Sequence, residues 1–167
     1  IISEMEINSS ILNLVEIGFG YGTFTIPAAQ RIRGTVFAYD IEPDNHYLVN
    51  NKLESRNINN VNLQITDVIE HTTGLEEGSV DYVMLFNILH HDKPGNQLDE
   101  AHSILKTNGK VGIIHWRSDI DTPRGPSLDI RPKPKQILNT IDKAKFQVYK
   151  KPFHLEPYHY GIILSKL

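Results

Sequence analysis

The chain has no cysteine among its 167 residues. That excludes a disulfide framework, a Cys-ligated zinc or iron–sulfur site and a thiol nucleophile. It fits a reducing compartment, and a cytoplasmic location is the expectation. No apolar run approaches the ~18 residues of a membrane span, so none is expected. Positive charge is not in excess: 17 Lys+Arg against 20 Asp+Glu leave a net charge of −3. Such a balance offers no electrostatic footprint for nucleic acid or an anionic membrane, and neither is expected as a partner. The sequence shows no internal repeat, low-complexity tract or domain linker. It begins at Ile1 in a short polar segment without a signal-peptide pattern. What remains is an ordinary globular composition, 40% hydrophobic with 11 glycines. The length suits one domain over residues 1–167, large enough to bury a core without staples.

Apolar runs alternate with helical stretches. Residues 11–17 (ILNLVEI), 36–40 (VFAYD), 61–66 (VNLQIT), 80–86 (VDYVMLF) and 110–116 (KVGIIHW) read as strands. Helices are predicted over 23–32, over 43–56 with Pro43 in its first turn, and over 95–106. In the last of these Leu98, Ala101, His102 and Leu105 share one face, and Asn108-Gly109 is read as its stop. Near-continuous apolar strands alternating with helices indicate a parallel sheet covered on both faces. Residues 117–134 break the pattern, with four prolines, one glycine and three arginines; a loop of that length inside a compact domain is usually functional or disordered. A helix carrying Ile137, Leu138, Ile141 and Ala144 follows. Two strands turned at Glu156-Pro157 close the chain, and with no helix between them they should pair antiparallel. The expected fold is α/β: a Rossmann-like three-layer αβα sandwich whose seven-stranded sheet is mostly parallel, with one antiparallel strand near the C-terminus.

Val15-Glu16-Ile17-Gly18-Phe19-Gly20-Tyr21-Gly22 falls where the first strand meets the first helix. Glycines there permit a tight turn and let a ligand approach the backbone beside a helix N-terminus. A dinucleotide loop, G-x-G-x-x-G, would need glycine at position 23, which is Thr; the third glycine comes one residue early, at Gly22. Asp40 ends the second strand, where a carboxylate can accept the ribose hydroxyls of an adenosine group. Asp67 follows the third strand, where it can accept from an exocyclic adenine amine. Each feature also has a plain reading: a tight turn for the glycines, a helix cap or turn for each aspartate. The three stand at consecutive strand ends, where open parallel sheets bind ligands.

In this order the segments resemble class I S-adenosylmethionine-dependent methyltransferases, over nearly the whole chain. VEIGFGYG resembles the family's acid-x-G-x-G-x-G loop, VFAYDIEP its second-strand segment and LQITDV its third. GSVDYVMLFNILHHDKP resembles the fourth-strand segment, and LKTNGKVGIIHW the turn into strand five. The nearest flavour is ubiquinone/menaquinone-type methyltransferases, among small prokaryotic members. The resemblance implies S-adenosyl-L-methionine as cofactor and a small-molecule methyl acceptor. It implies Glu16 near the methionine amino end and Gly18, Gly20 and Gly22 along the amino-acid and ribose portion. Asp40 would hold the ribose hydroxyls and Ile41 the adenine face; Asp67 would meet the adenine amine with Val68 beside it. Asn87 would lie near the methionine moiety and the reacting methyl. Phe19, Thr107 and Asn108 depart from the family's usual residues. Only about ten residues precede strand one, fewer than the helices members carry there, so the expectation is that part of the substrate cover is missing, cut away or supplied by another subunit.

Methyl transfer from a sulfonium needs alignment and exclusion of water, and a general base only where the acceptor must lose a proton. The polar candidates are histidines: His90-His91-Asp92 after strand four, His115 at the end of strand five, and His159. His91 and His115 are the candidate catalytic residues, with caps or core histidines as the plain alternative. No metal is expected, because His90-His91-Asp92 lacks helical ligand spacing. Arg117, Arg124 and Arg131 form either an anion clamp for the acceptor or solvated loop charges. Tyr158 and Tyr160 either wall a flat aromatic substrate or pack on the sheet. Two other functions compete with an enzyme that methylates a small molecule. One is a non-catalytic module of the same fold that binds S-adenosylmethionine; the other is a nicotinamide-dependent oxidoreductase. Absence of cysteine also counts against thiolate-dependent methylation of arsenic.

Overall fold

A computed structural model describes residues 1–90 and 94–167. The predicted strands form one seven-stranded sheet. β1 (Asn13–Ile17), β2 (Thr35–Asp40), β3 (Val61–Ile65), β4 (Val80–Phe86), β5 (Leu105–Trp116), β6 (Phe146–Leu155) and β7 (His159–Lys166) lie in the order β3-β2-β1-β4-β5-β7-β6. β7 alone runs against its neighbours, pairing antiparallel with both β5 and β6, while the first five strands pair parallel. This is the Rossmann-like arrangement the sequence implied.

The two-residue period of each strand divides the core into two layers. In β4, Val83 and Leu85 face one layer, and Tyr82, Met84 and Phe86 the other. The first layer is covered by α3 (Val68–His71), α4 (Pro94–Ile104) and α5 (Pro134–Thr140), through Val68, Leu98, Ala101, Ile104 and Ile137. The second is covered by α1 (Thr25–Ala29) and α2 (Pro43–Ser55), through Ile26, Ala28, Val49 and Leu53. α2 carries Pro43 at its start, Asp44 in its first turn and Lys52 in its last, each placed as the backbone and helix dipole favour. The N-terminal segment is not simply polar: Met5 and Ile7 are fully buried in the second layer. The Tyr82 hydroxyl donates to the Met5 carbonyl at 2.8 Å.

Four elements differ from the sequence reading. α1 is shorter than 23–32, although i to i−4 bonds flank it, from Ile26 to Gly22 and from Ile32 to Ala28. Pro27 has no N–H with which to continue that ladder. β5 begins at Leu105 instead of 110. Leu105 opposes Val80 and Lys110 opposes Tyr82, so the intervening residues are a bulge with Asn108 at φ 63°. Asn108-Gly109 thus bends a strand and does not stop the helix. α4 ends at Ile104, where the Lys166 ammonium donates to the carbonyls of His102 (2.6 Å) and Leu105 (2.8 Å). α5 stops at Thr140, which leaves Ala144 exposed outside it. Residues 117–133 form the expected long connection, with a single 3-10 turn at Leu128–Ile130.

The strand order reverses between β1 and β4. There the chain leaves the sheet in opposite directions and a crevice opens at the carboxyl ends of the strands.

Candidate active site

The crevice is a cavity of about 390 Å3, within the range of small-ligand sites. Its walls come from the ends of β1 to β4: Ile17, Gly18 and Gly20; Tyr39, Asp40 and Ile41; Thr66, Asp67, Val68 and Ile69; Phe86, Asn87, Ile88 and His90. Gln97, on α4, completes it. Backbone bonds lock these ends together. Gly18 N–H donates to the Tyr39 carbonyl at 2.7 Å, Thr66 N–H to the Asp40 carbonyl at 2.9 Å, and Asn87 N–H to the Ile114 carbonyl at 2.7 Å.

Two glycines shape the loop for different reasons. At Gly18, φ is +80°, which disfavours any side chain, and a Cβ would also fall 2.6 Å from Ile88 Cδ1 and make that side chain shift. At Gly20, φ is +49° and a Cβ would meet nothing within 4 Å; its bare backbone faces open space. Its N–H donates to Asp40 Oδ2 at 2.7 Å. Asp40 Oδ1 accepts from Glu42 N–H at 3.0 Å and Asn45 Nδ2 at 3.2 Å. Asp40 therefore couples the glycine loop to the start of α2. Asp67 is the N-cap of α3, accepting from Ile69 N–H through Oδ1 at 2.9 Å, and it also lines the cavity. Ile41 lies exposed on the rim.

Glu16 and Gly22 stand behind this wall. Glu16 is 1% exposed, and its Oε2 accepts from Thr25 Oγ1 at 2.5 Å. Burial pushes its carboxyl up to about 8; the Thr25 bond opposes this and the Asp40 charge adds to it. At neutral pH Glu16 is mostly the uncharged acid. Gly22 packs on Val49 instead of the cavity.

Asn87 is the most unusual residue here. It follows β4 with φ +60°, a left-handed conformation that asparagine adopts more readily than most residues. Its side-chain Oδ1 is buried and has no hydrogen-bond partner. Together with His90 it also borders a second cavity of about 170 Å3, lined further by His115, Trp116, Pro126, Arg131 and Pro132. His115 is buried, and its Nε2 likewise lacks a partner. Burial, with His90 and His159 nearby, lowers its imidazole to about 3. The rings of His90 and His115 lie 6.3 Å apart, edge to face. His91, the other candidate catalytic residue, lies outside the described residues.

The three loop arginines have separate roles. Arg117 forms a two-pronged pair with Asp119, at 3.0 and 2.9 Å. Arg124 is exposed. Arg131 is neither solvated nor on the surface: at 7% exposure it donates from Nε to the Pro126 carbonyl, from Nη1 to the Arg117 carbonyl and from Nη2 to Thr122 Oγ1, each at 2.8 Å. Tyr160 packs on the sheet and donates to the Pro132 carbonyl at 2.7 Å, whereas Tyr158 stacks on Trp116. Among the described residues, no three His, Asp or Glu converge as metal ligands.

Sequence reading missed Thr66, Ile69, Ile88, Gln97 and the prolines of the second cavity. Gln97 carried a usable signal: it is a polar residue on the buried face of α4, four positions before Ala101. Pro126 and Pro132 carried none, because only the folded loop brings them to Asn87.

A family model described as a methyltransferase domain matches residues 14–109, more than half of the chain. No curated protein matches it by sequence. Among solved structures, a SAM-dependent methyltransferase from Aquifex aeolicus superposes with a TM-score of 0.87 at 16% identity, covering 99% of this chain and 87% of the other. A SAM-dependent methyltransferase from Methanosarcina mazei gives 0.71 at 14% identity, over 93% of this chain and 92% of the other. The N-methyltransferase NodS from Bradyrhizobium japonicum, solved with S-adenosylhomocysteine, gives 0.74 at 12% identity, over 98% and 84%. These likenesses share the fold; the matched segment spans the glycine loop, Asp40, Asp67 and Asn87. The chain belongs to the methyltransferase domain family, and it is a class I, S-adenosylmethionine-dependent enzyme.

Proposed function

We propose that the chain transfers the methyl group of S-adenosylmethionine to a small molecule held in the second cavity. The observation that supports this best is the wall shared by the two cavities at Asn87 and His90. A donor in one and an acceptor in the other meet there.

The residues present fit the cofactor. Gly20 offers bare backbone to open space, and Asn87 offers a buried oxygen with no partner. Asp40 holds the ribose hydroxyls, Asp67 meets the adenine amine, and Ile41 and Val68 flank the ring. Gly18 and Gly20 pass under the amino-acid and ribose portion, and Asn87 accepts at the methionine end. Glu16 and Gly22 act one layer back, fixing the loop through Thr25 and Val49.

The cofactor supplies a methyl group already activated on a sulfonium. The protein's share is alignment and the exclusion of water. His115 is a weak base, far from the neutral value that suits proton abstraction; it therefore orients the acceptor by hydrogen bonding instead of storing its proton. The size of the second cavity, about 170 Å3, supports a small-molecule acceptor.

Calorimetry with S-adenosylhomocysteine, followed by a mass-spectrometric screen for acceptors gaining one methyl group, tests this. Binding together with methyl transfer to a small molecule is the expected result. Failure of S-adenosylhomocysteine to bind overturns it.

A further inference from the structure

Resting on that reading, we propose that the acceptor is a small single-ring acid, its carboxylate held by Arg131 and its ring lying against Trp116 and the two prolines. Arg131 lines the second cavity, and its three recorded bonds go to two carbonyls and a hydroxyl. Among the described residues no carboxylate forms an ion pair with it, and none lines the cavity. Among the described residues only neutral acceptors hold this buried guanidinium, and an anionic ligand is the partner its charge would take.

The donor count agrees. Arginine has five N–H groups. Nε uses its single one, and Nη1 and Nη2 use one each. Among the described residues one N–H remains on each terminal nitrogen, enough donors for a carboxylate oxygen.

The surroundings agree as well. The side chains that face Arg131 and the cavity are Asn87, His90, His115 and Trp116 from the sheet side, Pro126, Pro132 and Thr122 from the loop, and His159 across Trp116. Burial holds His115 near 3; His159 is held near 4 by burial and by the Arg124 and Arg131 charges. Both stay uncharged at neutral pH, so their protons do not compete for the anion, and Arg131 carries the positive field. The flat walls are Trp116, over whose ring Arg131 sits at 5.7 Å, with Pro126 and Pro132. A dry cavity of about 150 Å3 accepts a benzene ring, so 170 Å3 admits one ring with a substituent and little more. Asn87 lines the same cavity, so the methylated atom would be an amine on the ring edge away from the carboxylate: its lone pair would take the methyl as the carbon–sulfur bond breaks, and the extra proton would pass to solvent on release.

The test is titration of the full chain with benzoate and with its uncharged isostere benzamide, with and without S-adenosylhomocysteine. Benzoate is expected to bind at least about tenfold tighter than benzamide, as a charge-assisted pair requires, and Arg131→Gln to collapse that preference to about twofold or less. Where Arg131→Gln fails to fold, the Trp116 indole N–H resonance of the wild type gives the answer, shifting with benzoate and staying with benzamide. Equal affinity for the two probes, no benzoate binding, or a preference that survives Arg131→Gln overturns the proposal. The S-adenosylhomocysteine arm separates the two readings: its failure with benzoate still bound removes the methyl-transfer reading and leaves the anion pocket. The reverse outcome removes only the acid.

Discussion

Both oxygens of Asp40 are engaged by the protein itself, Oδ2 by Gly20 and Oδ1 by Glu42 and Asn45. A bond from a neutral donor to a charged acceptor contributes about 1.5–3 kcal/mol. Asp40→Ala is therefore expected to weaken S-adenosylhomocysteine binding at least about tenfold, or about 1.4 kcal/mol, and to lower the melting temperature as the glycine loop loses its anchor. Calorimetry and a melt on the same variant check both; unchanged affinity refutes the role. Glu16 yields a pH prediction. Its carboxyl is raised from 4.5 unfolded to about 8 folded, so between those values the folded chain holds a proton that the unfolded chain has released. The stability linked to Glu16 is fully present below pH 4.5 and is lost as pH rises through about 8. Melting temperatures from pH 5 to 8.5 should thus fall more steeply in the wild type than in Glu16→Gln, and parallel curves would refute the shift. At this scale Asp40, Asp67, Gly18 and Gly20 were legible as the crevice wall, because the spacing of loop and strands places them, whereas Gly22 packs on Val49. That Glu16 faces Thr25 and not the cavity was not legible, since one residue of register decides which face a strand side chain meets.

The long segment 117–133 is held from three sides: Arg131 bonds three of its groups, Arg117 pairs with Asp119, and Tyr160 of β7 reaches Pro132. Tyr160→Phe removes one bond to a part-buried carbonyl and should cost about 1 kcal/mol. Trypsin cleavage after the exposed Arg124 should accelerate while the sheet stays intact. A cleavage rate equal to the wild type would show that the bond does not restrain the loop. Periodicity revealed the strands and the existence of α2 and α4, because their apolar residues recur at the period of the element. It misjudged α1, where Pro27 breaks the ladder, and the start of β5, where a bulge at Asn108 imitates a helix stop. It extended α5 to Ala144 because Ile141, buried just past the helix, keeps the apolar spacing. The loop's architecture was illegible, because its order comes mainly from side-chain bonds within the loop itself, with Tyr160 added from β7, and such bonds leave no periodic trace.

At the scale of the molecule, the sheet order and its two-layered core bring four strand ends to one crevice, and S-adenosylhomocysteine should stabilise the fold by filling it. At about 100 times its dissociation constant the gain is about 2.7 kcal/mol. For a chain of this size that raises the melting temperature by roughly 5–10 °C. A melt that does not move at saturating ligand would refute binding at this site. Fold class was the most legible property of all, because seven apolar runs and their intervening helices allow few arrangements of a parallel sheet. The wall of Asn87 and His90 between the two cavities carries a further consequence. Ligands on its two sides are linked reciprocally: by whatever factor cofactor product alters the hold on the acceptor, the acceptor alters the hold on cofactor product. Measuring the affinity of one ligand with and without the other therefore gives the same coupling factor whichever of the two is titrated.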